Sequence, residues 1–225
     1  MKVEPIAHIE SPYGEKFGIP RQSGMVCVSQ RVVFEPQYRV SEAVRGLEQF
    51  SHIWLIWQFD RAERNSWSAT VRPPRLGGNE RVGVFATRSP FRPNAIGLSA
   101  VRLVGVRHDE ALGPVLDIEG ADMVDGTPIF DIKPYLPYAD CIADATGGFA
   151  QQAADRHLQV SFAPQVQAIL PPELVKPLTQ ALAADPRPRY HDDPQRVYGM
   201  AFGGYNILFS VEGEVATVSG AKKLK

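Results

Sequence analysis

The sequence predicts a mainly β protein in which an antiparallel barrel or sandwich is followed by a smaller α+β unit. Short runs of β-branched and aromatic residues, bounded by Gly, Pro or Ser, recur along most of the chain. In the first two thirds, no helical pattern of about ten residues separates these runs, as a parallel βαβ sheet would require. The length of 225 residues suits one generous domain or one domain with an annex.

The first strands are predicted at residues 3–9, 26–34 and 53–59. A short helix is expected at residues 41–47, ended by Gly46. The third strand is apolar on both faces, which is typical of a central strand covered on each side. Residues 61–80 contain two prolines and two glycines without clear periodicity, so they predict a long loop.

Further strands and a linker complete the predicted organisation. The later strands of the first unit are predicted at residues 82–86, 99–106, 114–118 and 129–132. Gly147, Gly148 and neighbouring Ala and Gln residues indicate a linker, which divides the chain into domains at residues 1–145 and 155–225. The second domain is predicted to contain a strand at 158–162, a helix at 173–184 that includes Pro177, and strands at 197–202, 205–211 and 214–218.

The net charge of −1 hides two segments of opposite sign. Residues 61–107 hold nine arginines and two glutamates, a net charge of +7, whereas residues 108–155 hold ten acids and one lysine, a net charge of −9. The overall balance argues against a dedicated nucleic-acid binder, which normally carries excess Lys and Arg. The basic segment could still bind an anionic partner locally.

Several common functions are excluded by motif. The chain lacks the G-x-G-x-x-G fingerprint of dinucleotide-binding folds, and Val84 stands where a phosphate-binding loop needs lysine. Neither HExxH nor G-x-S-x-G occurs. Cys27 and Cys141 are too isolated for a disulfide framework or a zinc site, so we expect two ordinary buried thiols. With no signal peptide and no apolar run of spanning length, a cytoplasmic protein is expected, away from membranes.

Two proline-braced loops and an acidic stretch are the candidate functional regions. Residues 83–94 hold Arg88, Arg92 and Asn94 between prolines, which suits phosphate, carboxylate or base-edge recognition, although solvated arginines on a turn would look the same. Residues 131–138 present two tyrosines, for stacking on an unpaired base or for simple packing.

The acidic stretch offers four carboxylates in nine residues. Such a stretch could hold a divalent cation, act in acid and base roles, face an organic cation, or form a turn and surface. The carboxylates are Asp117, Glu119, Asp122 and Asp125.

Several motifs follow one another along the chain: Arg21-Gln22, Phe50-Ser51-His52, residues 71–78, residues 86–94 and residues 125–138. Together they resemble the TrmO family of tRNA methyltransferases, and Asp185-Pro186-Arg187-Pro188 is similar to the family's C-terminal domain. The resemblance implies a small antiparallel β-barrel methyltransferase domain without a Rossmann sheet, a C-terminal domain and a homodimer. It further implies methylation, by S-adenosylmethionine, of the N(6) nitrogen of threonylcarbamoyladenosine beside the anticodon.

Site roles carry over by motif position. The resemblance implies cofactor contacts from Arg21, Gln22, Ser23, Asp60, Arg61, Arg88, Leu98, Glu119, Gly120, Ala121 and Asp122. It implies no metal. Asp60 stands where many relatives have histidine, and Ala95 stands where proline is usual.

The chemistry needs a base and an anion-binding surface. The accepting nitrogen is urea-like, so a base must take its proton, and Asp122, Asp125 and Tyr135 are the candidates. Arg92 with Asn94 is expected to bind the threonyl carboxylate of the substrate. Arg72, Arg75 and Arg81 are expected to contact phosphates of the tRNA anticodon arm.

Two other functions fit part of the sequence. A non-catalytic RNA-binding module would use residues 83–94, the arginine loop, alone and would bind no S-adenosylmethionine. A metal-dependent hydrolase would use the carboxylates from Asp117 to Asp125 and would lose activity in chelator.

Overall fold

Strands dominate the computed structural model, which describes residues 2–62, 67–73, 80–150, 157–187 and 193–224. The strands are β1 (Ala7–Glu10), β2 (Ser29–Phe34), β3 (His52–Gln58), β4 (Thr70–Val71), β5 (Val82–Gly83), β6 (Ile96–Asp109), β7 (Gly113–Glu119), β8 (Pro128–Pro134), β9 (Gln159–Phe162), β10 (Tyr198–Phe202), β11 (Tyr205–Glu212) and β12 (Val215–Lys223). The helices are α1 (Pro137–Asp140), α2 (Pro164–Gln167) and α3 (Pro172–Ala183). Among the described residues, no helix is long and apolar enough to cross a membrane.

A closed barrel forms in the order β1-β2-β7-β6-β3-β8, with antiparallel pairing throughout. The alternation of buried and outward residues along β3 and β6 is that of strands with one face in a core. Ile53, Leu55 and Trp57 point inward from β3, whereas Trp54 and Ile56 are half-buried on its outer face. The prediction of a mainly β barrel is therefore confirmed.

A second sheet forms in the order β10-β11-β12-β9, and β9 runs parallel to β12. Helix α3 packs on this sheet through buried Leu178 and Leu182. Its Pro177 lies inside the helix, and the chain remains helical on both sides of it. This is the α+β unit that the sequence predicts.

The second hydrophobic core also includes residues from the segment between β1 and β2. Tyr13, Val26 and Val28 are buried in it, and Tyr13 forms an isolated bridge with Phe202. The amide of Gly203 donates to the Pro12 carbonyl at 2.8 Å. The long segment that connects β1 and β2 of the barrel is thus partly buried in the core of the C-terminal unit.

Three local predictions are corrected. The helix expected at residues 41–47 is two short 3-10 helices, Ser41–Val44 and Leu47–Gln49, because Gly46 between them has φ 89°. The strand expected at residues 82–86 ends at Gly83, and Val84–Ala86 forms a 3-10 turn. Both cysteines are exposed rather than buried.

Candidate active site

Asp122 lies at the centre of a polar cluster just after β7. The Ser99 hydroxyl donates to Asp122 Oδ1 at 2.6 Å, and Trp57 Nε1 donates to Ser99 Oγ at 3.0 Å. Burial disfavours the charged form and raises the pKa of Asp122 above the ordinary value, although the Ser99 bond, the charge of Arg88 and the Ser23 backbone N–H act in the opposite direction. The result is a desolvated carboxylate beside an arginine.

A loop at residues 21–24 lies against the strand end that precedes Asp122. The Gly24 amide donates to the Gly120 carbonyl at 2.8 Å. Gly120 has φ 87°, and a Cβ there would lie 3.3 Å from the Gly24 backbone, so the close approach and the left-handed conformation both require glycine. Gln22 Oε1 accepts a hydrogen bond from Arg88 Nη1 and ties this loop to the arginine loop.

Gln30 fixes the backbone next to Asp122. This side chain is only 3% exposed. The Ala121 amide donates to Gln30 Oε1 at 2.8 Å, and Gln30 Nε2 donates to the Ala121 carbonyl at 3.2 Å. Because both polar groups of one residue are held by one buried amide, Asp122 has little freedom to shift.

Tyr13 places a buried hydroxyl close to the same carboxylate. Burial and the charge of Asp122 both raise the pKa of Tyr13. Its hydroxyl has no hydrogen-bond partner among the described residues. A buried donor left unpaired costs stability, and the Tyr198 hydroxyl of the same core is unpaired in the same way, so this feature alone does not identify a bound group.

Arg61 contacts Asp125, which lies close to Asp122 in sequence. Arg61 Nη2 donates to the Asp125 carbonyl at 2.8 Å, and Arg61 Nη1 donates to the Gly14 carbonyl at 3.2 Å. Asp60 lies 3.9 Å from Arg61 Nε and is exposed. The Asp125 carboxylate accepts from the Ser11 amide at 2.9 Å, so it partly serves as a turn cap.

The arginine loop is braced from within. Arg92 Nη1 donates to the carbonyls of Thr87 at 3.0 Å and Ser89 at 3.3 Å, while Asn94 is exposed. Arg72 directly follows β4 and Arg81 directly precedes β5, so both exposed side chains lie at the same end of the antiparallel β4–β5 ribbon. Arg75 lies outside the described residues.

Both units of the chain match known protein families. The tRNA-methyltransferase O N-terminal domain matches residues 8–141, more than half of the chain. The chain belongs to the tRNA-methyltransferase O family. The TrmO C-terminal domain matches residues 155–224.

Relatives in this TrmO family cover nearly the whole chain. A protein of Escherichia coli (strain K12) named tRNA (adenine(37)-N6)-methyltransferase is 43% identical over an alignment of 218 residues, and the match covers 92% of this chain and 92% of the relative. A Pseudomonas aeruginosa protein named putative S-adenosylmethionine-dependent methyltransferase RcsF is 43% identical, covering 88% of this chain and 87% of the relative. The crystal structure of TrmO from Pseudomonas aeruginosa superposes with a TM-score of 0.77 at 34% identity, covering 99% of this chain and 98% of that one.

Tyr135, a candidate base, and Leu98 and Glu119, two of the cofactor contacts that the TrmO resemblance implies, have surroundings that differ from the Asp122 cluster. Tyr135 follows β8 and packs its ring on Trp54, at a centroid distance of 5.5 Å, at the opposite end of β8 from Asp125. Leu98 points outward from β6 and is 57% exposed. Glu119 accepts a hydrogen bond from Arg102 at 3.2 Å.

The four carboxylates of the acidic stretch have separate environments in this TrmO-family chain. Arg107 donates to Asp117, and Arg102 donates to Glu119. Asp122 and Asp125 have the partners described above. In the part of the chain that the structure describes, no three His, Cys, Asp or Glu residues group as metal ligands. The arrangement therefore does not favour the hydrolase interpretation.

The sequence marks Asp122 as a candidate but gives no sign of the residues that set its environment. Ser99, Trp57, Gln30 and Tyr13 lie in other strands or loops, and none belongs to a motif with a chemical signature. The pairing of β3 with β6, which places Trp57 opposite Gly97, brings Trp57 to Ser99, and the pairing of β6 with β7 brings Ser99 to Asp122.

Proposed function

We propose that this protein transfers the methyl group of S-adenosylmethionine to the N(6) nitrogen of threonylcarbamoyladenosine next to the tRNA anticodon. The observation that carries the proposal is the desolvated Asp122 carboxylate, held by Ser99 and facing Arg88, in a chain that matches the tRNA-methyltransferase O family along nearly its whole length. The names of the E. coli and P. aeruginosa relatives support both the substrate and the cofactor.

The donor set fits S-adenosylmethionine by its charges. When bound, the cofactor supplies an electrophilic methyl group on a sulfonium cation. The Asp122 carboxylate suits its positive groups, and Arg21 and Arg88 suit its carboxylate. The unpaired Tyr13 hydroxyl offers a further donor. The other groups proposed to hold it are Gln22, Ser23, Gly120 and Ala121 around Asp122, with Asp60, Arg61, Leu98 and Glu119 as the outer positions.

Asp122 is our choice for the base. The nitrogen carries a proton that must leave as the nitrogen–carbon bond forms and the carbon–sulfur bond breaks. A carboxylate whose pKa is raised by burial holds a proton better than an exposed one, so Asp122 suits this role. Asp125 is exposed and caps Ser11, and Tyr135 lies at the opposite end of β8. Both are therefore weaker candidates in a single chain.

The substrate's anionic groups have partners nearby. Arg92 uses one guanidinium nitrogen to brace its own loop, and arginine has five N–H donors in all. We assign the threonyl carboxylate to Arg92 with the exposed Asn94. Arg72 and Arg81, with Arg75 between them in sequence, are assigned to phosphates of the anticodon arm.

A homodimer is the proposed working state. Ile96, Leu98 and Val104 on the outer face of β6 are 46%, 57% and 55% exposed, and Leu98 pairs with the half-buried Ile56 on β3. Several exposed apolar side chains on one face of a strand are uncommon on a monomer. Burial of Leu98 against a partner would place it near a cofactor bound between subunits. Two exposed, unpaired thiols and a tRNA substrate suit the cytoplasm.

One experiment tests the reaction. The protein is incubated with S-adenosylmethionine and either threonylcarbamoylated or unmodified tRNA, and the digested nucleosides are analysed by mass spectrometry. We expect a gain of one methyl group only on the threonylcarbamoylated nucleoside, undiminished by chelator. Calorimetry that detects no cofactor binding would instead favour an RNA-binding module, and a loss of activity in chelator would favour the hydrolase.

A further inference from the structure

Two exposed aromatic side chains lie together beside the β4–β5 ribbon. Trp67 is 54% exposed and Phe85 is 72% exposed, and their rings stack at a centroid distance of 6.3 Å and an interplanar angle of 30°. Neither ring belongs to a hydrophobic core cluster. Such large apolar faces are usually kept from water, so a pair held in the open indicates an occupant.

The backbone holds Phe85 outward. Its neighbour Val84 is 1% exposed and points inward, and the Val84 amide donates to the Ala69 carbonyl at 2.9 Å. The Thr87 hydroxyl closes the turn by donating to the Val84 carbonyl at 2.8 Å. The Phe85 ring is therefore presented to solvent by a fixed turn, so a ligand would pay little entropy to order it.

The charge around the pair identifies the chemistry of the occupant. Residues 67–73 and 80–99 contain four arginines, and Glu80 is their only acid. Exposed Arg72, Arg81 and Arg88 flank the rings in sequence. Self-association through this patch would bring arginines against arginines at a twofold axis, which is unfavourable. Aromatic rings within a positive surface are instead typical of binding to unpaired nucleobases on a phosphate backbone.

The pair is connected to the proposed active site through the chain from Phe85 to Arg88. Phe85 precedes Arg88 by three residues, and Arg88 donates to Gln22 in the loop beside Asp122. An adenosine that enters this site must leave its neighbours in the anticodon loop, which exposes a face of each neighbouring base. We propose that Phe85 and Trp67 form a stacking platform for the unpaired nucleobase adjacent to the methylated adenosine. This inference rests on the proposed function.

The test measures binding of an anticodon stem-loop RNA by fluorescence anisotropy. Phe85→Leu keeps an apolar side chain but removes the aromatic face, and we expect it to weaken binding roughly 5- to 100-fold. Phe85→Tyr keeps the face and should bind within about twofold of the wild type. Val40→Ala is the matched surface control, because Val40 is also an exposed apolar residue, with 48% of its surface accessible. Its neighbour Arg39 donates to the Ala111 carbonyl in the turn between β6 and β7, at the other end of β6 from Phe85.

A second experiment tests whether Phe85 contacts the nucleobase itself. An abasic nucleotide next to the target adenosine should weaken binding to the wild type and add little to the loss in Phe85→Leu. Equal losses in both proteins would overturn the platform. Tyr138 is 86% exposed and presents the rival stacking face, so a loss in Tyr138→Leu with none in Phe85→Leu would also overturn it.

The same proteins separate this inference from the proposed function. Calorimetry with S-adenosylmethionine should give unchanged affinity for Phe85→Leu, and a lowered affinity would assign Phe85 to the cofactor site and overturn the platform. Normal methylation with unimpaired RNA binding in Phe85→Leu would overturn the platform and leave the function standing. A wild-type protein that neither binds nor methylates the RNA would overturn both.

Discussion

Asp122 combines two requirements that conflict in a folded protein. Its carboxylate must be partly desolvated for its pKa to rise, yet a buried charge costs stability unless it is hydrogen-bonded. Ser99 donates a hydrogen bond to Asp122 Oδ1, and Trp57 donates one to Ser99. Because consecutive hydrogen bonds polarise one another, the bond from Trp57 strengthens the bond that Asp122 accepts. These hydrogen bonds therefore offset part, but not all, of the cost of burying the charged Asp122 carboxylate.

Asp122→Asn tests this balance. The variant cannot accept a proton, so we expect kcat to fall about 100-fold or more. Because the folded pKa of Asp122 is raised, the wild type gains stability from this group at low pH and loses it as the pH rises through that pKa. The variant should therefore melt at a higher temperature than the wild type at neutral pH, and the difference should vanish in acid.

Differential scanning fluorimetry across a pH series, together with single-turnover methylation, measures both effects. Asp125→Asn is the comparison, since Asp125 is exposed and should show no such gain in melting temperature. A large loss of kcat in Asp125→Asn with little change in Asp122→Asn would transfer the role of base to Asp125.

At the scale of elements, β6 carries the site on its inner face and an apolar surface on its outer face. Ser99 is 1% exposed, whereas its neighbour Leu98 is 57% exposed. Gly97 is needed because Trp57 crosses directly over it, and a Cβ at Gly97 would lie 2.2 Å from the Trp57 ring. Glycine here allows the close approach that brings Trp57 to Ser99.

Gly97→Ala should destabilise the barrel by about 1–3 kcal/mol, because the Trp57 ring must shift from its packed position. Urea unfolding gives this change in free energy. Gly105→Ala lies in the same strand, and its Cβ would meet nothing within 4 Å, so it should change stability by less than about 1 kcal/mol. Similar losses in both variants would show that strand flexibility, rather than contact with Trp57, matters.

Strand positions were largely predictable because alternation and turn residues are local signals. The predicted strand at residues 99–106 lies inside β6, which continues further at both ends. The 3-10 turn after β5 was not predictable, since Val84 and Ala86 fit a strand and the turn depends on a bond from Val84 to Ala69. The candidate acid and arginines carry recognisable chemistry, whereas Ser99 and Gln30 matter only through contacts distant in sequence.

At the scale of the whole molecule, the C-terminal unit supports the proposed cofactor loop. Arg21 Nη2 donates to the Asp185 carbonyl at 3.1 Å, and the Cys27 amide donates to Gln180 at 2.8 Å. Asp185 has φ 47° and is held by buried Arg187 through two bonds of 2.8 and 3.0 Å. The pair therefore orients the carbonyl that Arg21 binds.

Arg187→Met leaves Asp185 buried without its cation and should destabilise the protein by about 3–5 kcal/mol. We also expect weaker binding of S-adenosylmethionine, measured by calorimetry below the melting range, because Arg21 loses its fixed acceptor. Asp185→Asn combined with Arg187→Met removes the stranded charge and keeps a residue that tolerates positive φ, so it should recover much of the stability. Failure to recover stability would show that packing of Arg187, not its charge, is what matters.

The sequence predicted a linker near residues 144–154. It could not indicate that residues from the segment 13–28, which precedes the linker, pack in the core of the C-terminal unit, which follows it. Tyr13, Val26 and Val28 read as ordinary apolar residues of the first unit. Their partners, such as Phe202 and Met200, lie more than 170 residues later. Only the folded chain reveals such a contact.

This long-range packing sets an order of events during synthesis. In the second sheet β12 lies between β11 and β9, so that sheet cannot form until residues 215–223 have been made. Residues 13–28 are translated before β9 to β12 and have no second core to pack against until those strands have been made. In a nascent chain stalled before β12, we therefore expect the barrel strands to form while the proposed loop for S-adenosylmethionine at residues 21–24 lacks its support from the C-terminal unit.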